Sequence, residues 1–139
     1  MTYEQIRAAI LWRMLAFTGI NQKYIDYQNP KLRFTPPETG TWCRPNIQFA
    51  TAFMAGMADR PYTRKPGLIT IQCFDAGYAH SIALVKLADA LEDHFSYWTT
   101  GDLETLEASL VDVGTGAMLS SPTGSGYYQI NITIPFRAG

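Results

Sequence analysis

The sequence predicts an α+β fold: a two-layer sandwich with two helices packed on one face of a mostly antiparallel sheet. Three observations predict it. Two segments, residues 3–18 and roughly 78–96, repeat apolar residues at helical spacing along one side. Several others alternate apolar and polar residues, so that each carries one apolar face. Neighbouring strand segments also follow one another without helical crossovers, which favours antiparallel pairing.

Thr2 followed by Gln5 fits a capping box at the start of the first helix. Ile6, Ile10, Met14 and Phe17 form its core stripe, Leu11 and Leu15 widen it, and Gly19 is a natural stop. Tyr24-Ile25-Asp26-Tyr27 is a short β-prone piece, and the turn-rich residues 30–40 read as a loop. Residues 42–54 read as a long strand, with Ile47, Phe49, Thr51 and Phe53 on one face. Pro45 has no N–H to give a ladder, so it belongs at an edge, a bulge or the strand's start. Residues 56–67 form a connection longer than a hairpin turn needs.

The next strand, 68–74, places Ile69, Ile71 and Cys73 on one face, and Asp75-Ala76-Gly77 joins it to the second helix. That helix buries Leu84, Leu87, Ala88, Leu91 and Phe95 and solvates Lys86, Asp89, Glu92 and Asp93. Residues 103–113 alternate, with Leu106, Ala108 and Leu110 on one side and Glu104 and Asp112 on the other, and a flexible glycine-rich connection runs from Gly114 to Gly126. In the last strand Ile130, Ile132, Ile134 and Phe136 alternate with Gln129, Asn131, Thr133 and Pro135, and the proline marks an edge or a strand end. No internal repeat or boundary divides the chain, so residues 1–139 are expected to form one domain.

With 47% hydrophobic and 17% charged residues the chain is not of the disordered class. The net charge of −1 and the scattered Lys and Arg lack the basic run of a nucleic-acid binder, so that class is disfavoured. Cys43 and Cys73 do not make a disulfide framework and read as thiols in a reducing compartment. The opening residues lack a signal-peptide layout, and no apolar run reaches the ~20 residues that span a bilayer. A cytosolic protein without membrane contact is expected.

One stretch gathers chemistry-bearing residue types: Cys73, Asp75, His80 and Ser81 lie within nine positions. Each has a structural explanation. Cys73 falls inside an alternating strand pattern, and Asp75 suits a helix cap. His80 and Ser81 fall in the first helical turn, and no Gly-x-Ser-x-Gly elbow is present. His80 and His94, on one helix, stand about 21 Å apart and cannot share a metal. No catalytic, cofactor-binding or metal-ligating residue is assigned. The unusual features concern surfaces: long strands, extended loops, and aromatics outside the stripes at Trp42, Trp98 and Tyr127.

The order of segments carries a resemblance. A helix with "IRAAI", a piece ending "YQNP", a strand at "WCRPNI", then "RKPGLITIQCF", a helix "SIALVKLADALEDHF" and a terminal "GYYQINITIPFR" together resemble the tail terminator proteins of long-tailed bacteriophages, also called tail-completion or minor tail proteins. The resemblance spans most of the chain and rests on order and spacing, since each motif alone is weak. It implies a structural, non-enzymatic protein without cofactors, forming a ring, typically a hexamer, on the upper end of the tail tube. The ring stops tube-subunit addition and presents the head-joining surface. Its partners would be itself, the tube protein and a head-completion or connector protein, with no nucleic acid and no membrane. Its place would be the virion tail, assembled in the bacterial host cytoplasm. Interface candidates are Asp59, Arg60, Tyr62, Arg64 and Lys65 in the long connection and Ser120, Thr123 and Ser125 in the glycine-rich loop. The basic group Arg60, Arg64 and Lys65 has two readings, a partner for a neighbour's acids or a solvated turn. Rival expectations are another head–tail connector or neck protein, a ligand-binding module, and a small enzyme using Cys73 or a carboxylate.

Overall fold

The capping box at the chain's start is formed: Thr2 Oγ1 accepts from Gln5 N–H at 3.1 Å, and Gln5 Oε1 accepts from Thr2 N–H at 2.9 Å. In this computed structural model, residues 2–27, 34, 40–54, 63–75, 81–115 and 128–138 are described. Helix α1 spans Tyr3–Leu15, short of the expected residue 18. Gln22 is the reason. Its amide donates to the carbonyls of Met14 at 3.1 Å and Phe17 at 2.9 Å, ending the helix with a side-chain cap. Gly19 serves close packing rather than the stop: a Cβ there would lie 2.4 Å from the Phe17 ring and 3.2 Å from Ala90. A 3-10 turn, Gln22–Tyr24, leads into the β-prone piece, which makes one parallel bridge from Ile25 to Cys43.

Strands β1 (Thr41–Phe49) and β2 (Phe53–Met54) both pair antiparallel with β3 (Thr63–Asp75). Between the pairs Phe49↔Gly67 and Phe53↔Arg64, the first side advances four residues and β3 three, so one extra residue bulges out between β1 and β2. Helix α2 (Ser81–Phe95) follows, then β4 (Thr99–Thr100), β5 (Leu103–Thr105), β6 (Ser109–Thr115) and β7 (Tyr128–Ala138). The sheet order is β1-β3-β7-β5-β4, with β2 on β3 and β6 on β7. Most of the predicted loop 30–40, residues 56–62 of the long connection, Ala76 and Gly77 of the joint, residues 78–80 of the predicted second helix and residues 116–127 lie outside the described residues.

The fold is the α+β two-layer sandwich, with both helices on one face of an antiparallel sheet. Ile69, Ile71 and Cys73 of β3 pair with Ile134, Ile132 and Ile130 of β7, and this buried patch meets Leu84, Leu87, Ala88, Leu91 and Phe95 of α2. Ile6, Ile10 and Met14 of α1 complete the same core. On the other face Trp42 stacks on Phe74 with ring centroids 4.3 Å apart, and Arg44, held by Asp26 at 3.2 Å, lies over both rings.

The strand prolines obey one rule. Ladder alternation turns Pro45 toward the outer edge of β1, Pro66 toward the bulge, and Pro135 toward the break between β5 and β6. Each missing N–H therefore faces a place where no ladder bond is due. Two expectations fall here. Residues 63–67 belong to β3, although Lys65-Pro66-Gly67 reads as a turn, and Pro135 lies inside a central strand. The alternation expected over 103–113 is also broken. Leu103, Thr105 and Ala108 are buried, whereas Leu106 and Leu110 are exposed. Thr105 sets that phase: its hydroxyl accepts from Trp98 N–H at 2.8 Å and donates to the Phe95 carbonyl, sealing the end of α2.

Candidate functional site

The residues of the chemistry-rich stretch do not converge. Cys73 is fully buried on the helix-facing side of β3, opposite the equally buried Cys43. Burial pushes the Cys43 thiol up to about 12 and raises Cys73 well above its ordinary value, the reverse of what a nucleophile requires. Asp75 ends β3 between Thr41 and Tyr128 and is buried, and the residues that would join it to α2 as a cap lie outside the described residues. His80 lies outside the described residues. Among the described residues no three His, Cys, Asp or Glu side chains gather where a metal ion could be held.

His94 lies in the last turn of α2. Its Nε2 stands 2.6 Å from the Arg13 carbonyl oxygen, while the Arg13 guanidinium donates to the His94 carbonyl at 2.6 and 3.0 Å. Burial lowers the His94 pKa below its ordinary value, opposed by this backbone bond and reinforced by the Arg13 charge. Arg13 also lies 5.2 Å from the half-buried Trp98 ring. This constellation ties the C-terminal ends of α1 and α2 together.

Of the expected interface residues, Asp59, Arg60, Tyr62, Ser120, Thr123 and Ser125 lie outside the described residues. Arg64 and Lys65 are placed in β3 rather than in a loop, and the Lys65 ammonium sits 4.8 Å from the Tyr3 ring. The aromatics expected at surfaces divide differently. Trp42 is buried, Trp98 is half-buried and Tyr127 is outside the described residues.

Exposed apolar groups lie elsewhere. On α1, Trp12 is 72% and Leu15 50% exposed, and with Ala8 they form a second stripe turned away from the core. Their positions differ by four and three residues, a spacing visible in the sequence, where Leu15 alone of the three reads as part of the core stripe. Ile82 and Val85 are exposed on α2.

Among the described residues, two of the longer strands, β1 and β6, are paired along one side only. The outer edge of β1 is bridged at Cys43 by Ile25, and among the described residues nothing pairs with it from Pro45 to Phe49. Among the described residues nothing pairs with the outer edge of β6 either, where Leu110 is 44% and Val111 49% exposed. A cavity of about 150 Å³ lies between α1 and β1, lined by Leu11, Met14, Pro45 and Ile47 among others, with the exposed Arg7 and Asn46 at its margin.

No family model matches the chain, and no curated protein matches it. A solved structure whose name states no function superposes with a TM-score of 0.67 at 18% identity, covering 100% of this chain and 96% of its own. At that identity the likeness shows the fold alone.

Proposed function

We propose that this chain is a structural assembly protein of the tail-terminator kind. Copies form a ring on the head-proximal end of a phage tail tube, stop the addition of tube subunits and present the surface to which the head joins. One observation carries the reading: α1 is apolar on two sides. Ile6, Ile10 and Met14 enter the protomer's own core, while Trp12 and Leu15 face solvent. A helix with apolar stripes on two sides suits a place between two packed layers, and the protomer supplies one of them. The other is supplied by a neighbouring molecule.

Two further features support the reading. The order of motifs along the sequence resembles that of tail terminators, and among the described residues the outer edges of β1 and β6 are open for a neighbour's backbone to add to. The thiol chemistry of the rival enzyme reading has no support from the buried, protonated Cys73. Electron microscopy of tails assembled with and without the protein tests the proposal. Overlong tubes in its absence are expected, and tubes of unchanged length would rule it out. Pull-downs with purified tubes and capsids separate a terminator, which holds the tube, from a neck protein that holds only the capsid side.

A further inference from the structure

We propose that successive copies join head to tail through the sheet, β6 of one protomer adding to β1 of the next, with Leu110 entering the cavity beneath the neighbour's α1. The inference rests on the assembly reading above and names its contact surface.

Strand direction comes first. β1 and β7 run one way, β3 and β6 the other. A neighbour related by a rotation that preserves this direction therefore presents β1 antiparallel to β6, as every paired neighbour within the sheet already is. One copy offers β6 and the other β1, a heterologous contact that closes into a ring when the rotation fits.

Backbone alternation comes second. Pro135 O accepts from Leu106 N–H at 2.8 Å, so by alternation Thr133 and Asn131 of β7 turn their polar groups toward Ser109 and Val111, and Leu110 and Asp112 turn theirs outward. On β1, Cys43 turns its carbonyl outward to Asp26 N–H at 2.8 Å, which places the outward groups at Pro45, Ile47 and Phe49. With Leu110 opposite Ile47, both residues exchange backbone bonds. Asp112 N–H then meets the Pro45 carbonyl, where the proline's missing donor costs a single bond.

Side-chain position comes third. Leu110 pairs with Ile132, whose side chain is in the helix-side core, so Leu110 projects on that side. Carried onto the neighbour's edge, it arrives beside Ile47, at the cavity lined by Leu11, Met14 and Pro45. A space of about 150 Å³ matches the size known to accept a benzene ring, and so accepts an aliphatic side chain. The open runs are of similar length: the four residues Ser109 to Asp112 precede the β6 irregularity, and the five residues Pro45 to Phe49 follow the Ile25 bridge. No lysine or proline guards the β6 run, although edge strands are commonly protected in that way.

The test combines a disrupting variant with a cross-link. Leu110→Asp changes an exposed side chain, so the protomer should keep its circular dichroism and melting temperature. Sedimentation velocity should show the concentration needed for assembly rising about thirtyfold or more. In the same register Ser109 faces Gln48 as a non-hydrogen-bonded pair, the close spacing that suits a disulfide. A Ser109→Cys, Gln48→Cys double variant should therefore oxidise to a ladder of covalent multimers that neither single variant gives. Rings that Leu110→Asp leaves unchanged, or rings whose cysteine pair does not cross-link, would overturn the edge pairing and leave the terminator reading standing. Wild-type protein that stays monomeric at high concentration and on purified tail tubes would overturn the terminator reading itself.

Discussion

Arg13 and His94 each hold the other's backbone carbonyl. The Arg13 guanidinium donates to His94 O at 2.6 and 3.0 Å, and His94 Nε2 lies 2.6 Å from Arg13 O. A carbonyl oxygen can only accept, so Nε2 carries a proton. Neutral imidazole supplies that donor without placing a second positive charge beside the guanidinium. The C-terminal ends of α1 and α2 both gain a partner for a carbonyl that helix geometry leaves unpaired.

Acid should therefore loosen this joint. The His94 pKa in the folded protein lies below the ordinary 6.5 of the unfolded chain. Between those two values the unfolded state binds more protons, so stability rises with pH across that window. The contribution is complete above about 6.5, falls as pH drops through the folded pKa, and then levels off. Denaturant midpoints measured across the acid range should show this slope in wild type and lose it in His94→Gln. A variant retaining the full slope would assign it to other groups.

Gly67 lies where β3 passes under the Phe136 ring. A Cβ there would sit 2.3 Å from that ring and 2.5 Å from the Gln48 carbonyl oxygen. Gly67→Ala is expected to lower stability by about 1–3 kcal/mol, the usual range for overpacking. Phe136→Leu should relieve the ring contact, so the double variant should lose less than the two single losses added together. Additive losses would show that the backbone contact alone is at fault.

Cys43 and Cys73, register partners with no exposed surface, should react with a thiol reagent only when the protein opens. Both thiols are expected to label together, at a rate that follows unfolding in denaturant. Rapid labelling of native protein at pH 8 would contradict their placement.

Thr105 seals the end of α2 through Phe95 O and Trp98 N–H. Thr105→Val leaves both backbone groups without that partner and should cost about 1–3 kcal/mol. Thr105→Ser keeps the hydroxyl and should retain most of the stability, as thermal melts of the two variants would show.

This seal also explains where sequence pattern stopped being informative. The stripe of α2 and the alternation of β7 are read from periodicity because each touches one continuous core. The residues between α2 and β6 follow local bonding instead, and Thr105 turns inward ahead of the more apolar Leu106 and Leu110. The turn chemistry of Lys65-Pro66-Gly67 misleads for a related reason: the proline faces a bulge and the glycine lies under a ring, and both depend on distant strands. The pairing of Cys43 with Cys73 depends on register across a long hairpin. Trp12 was visible at helical spacing with Ala8 and Leu15, but a sequence shows a stripe without showing whether the core covers it.

The exposed stripe on α1 yields the prediction closest to function. Trp12 and Leu15 face solvent, and replacing such side chains usually changes stability by no more than about 0.5 kcal/mol. Trp12→Ser with Leu15→Ser should therefore leave the melting temperature nearly unchanged. If α1 is covered by a neighbour in the assembled ring, the same change removes an aromatic anchor of the type that dominates interfaces. Complementation of tails lacking the protein should then fail, leaving overlong tubes although the variant is folded and present. Tubes of normal length with the double variant would show that this stripe plays no part in assembly.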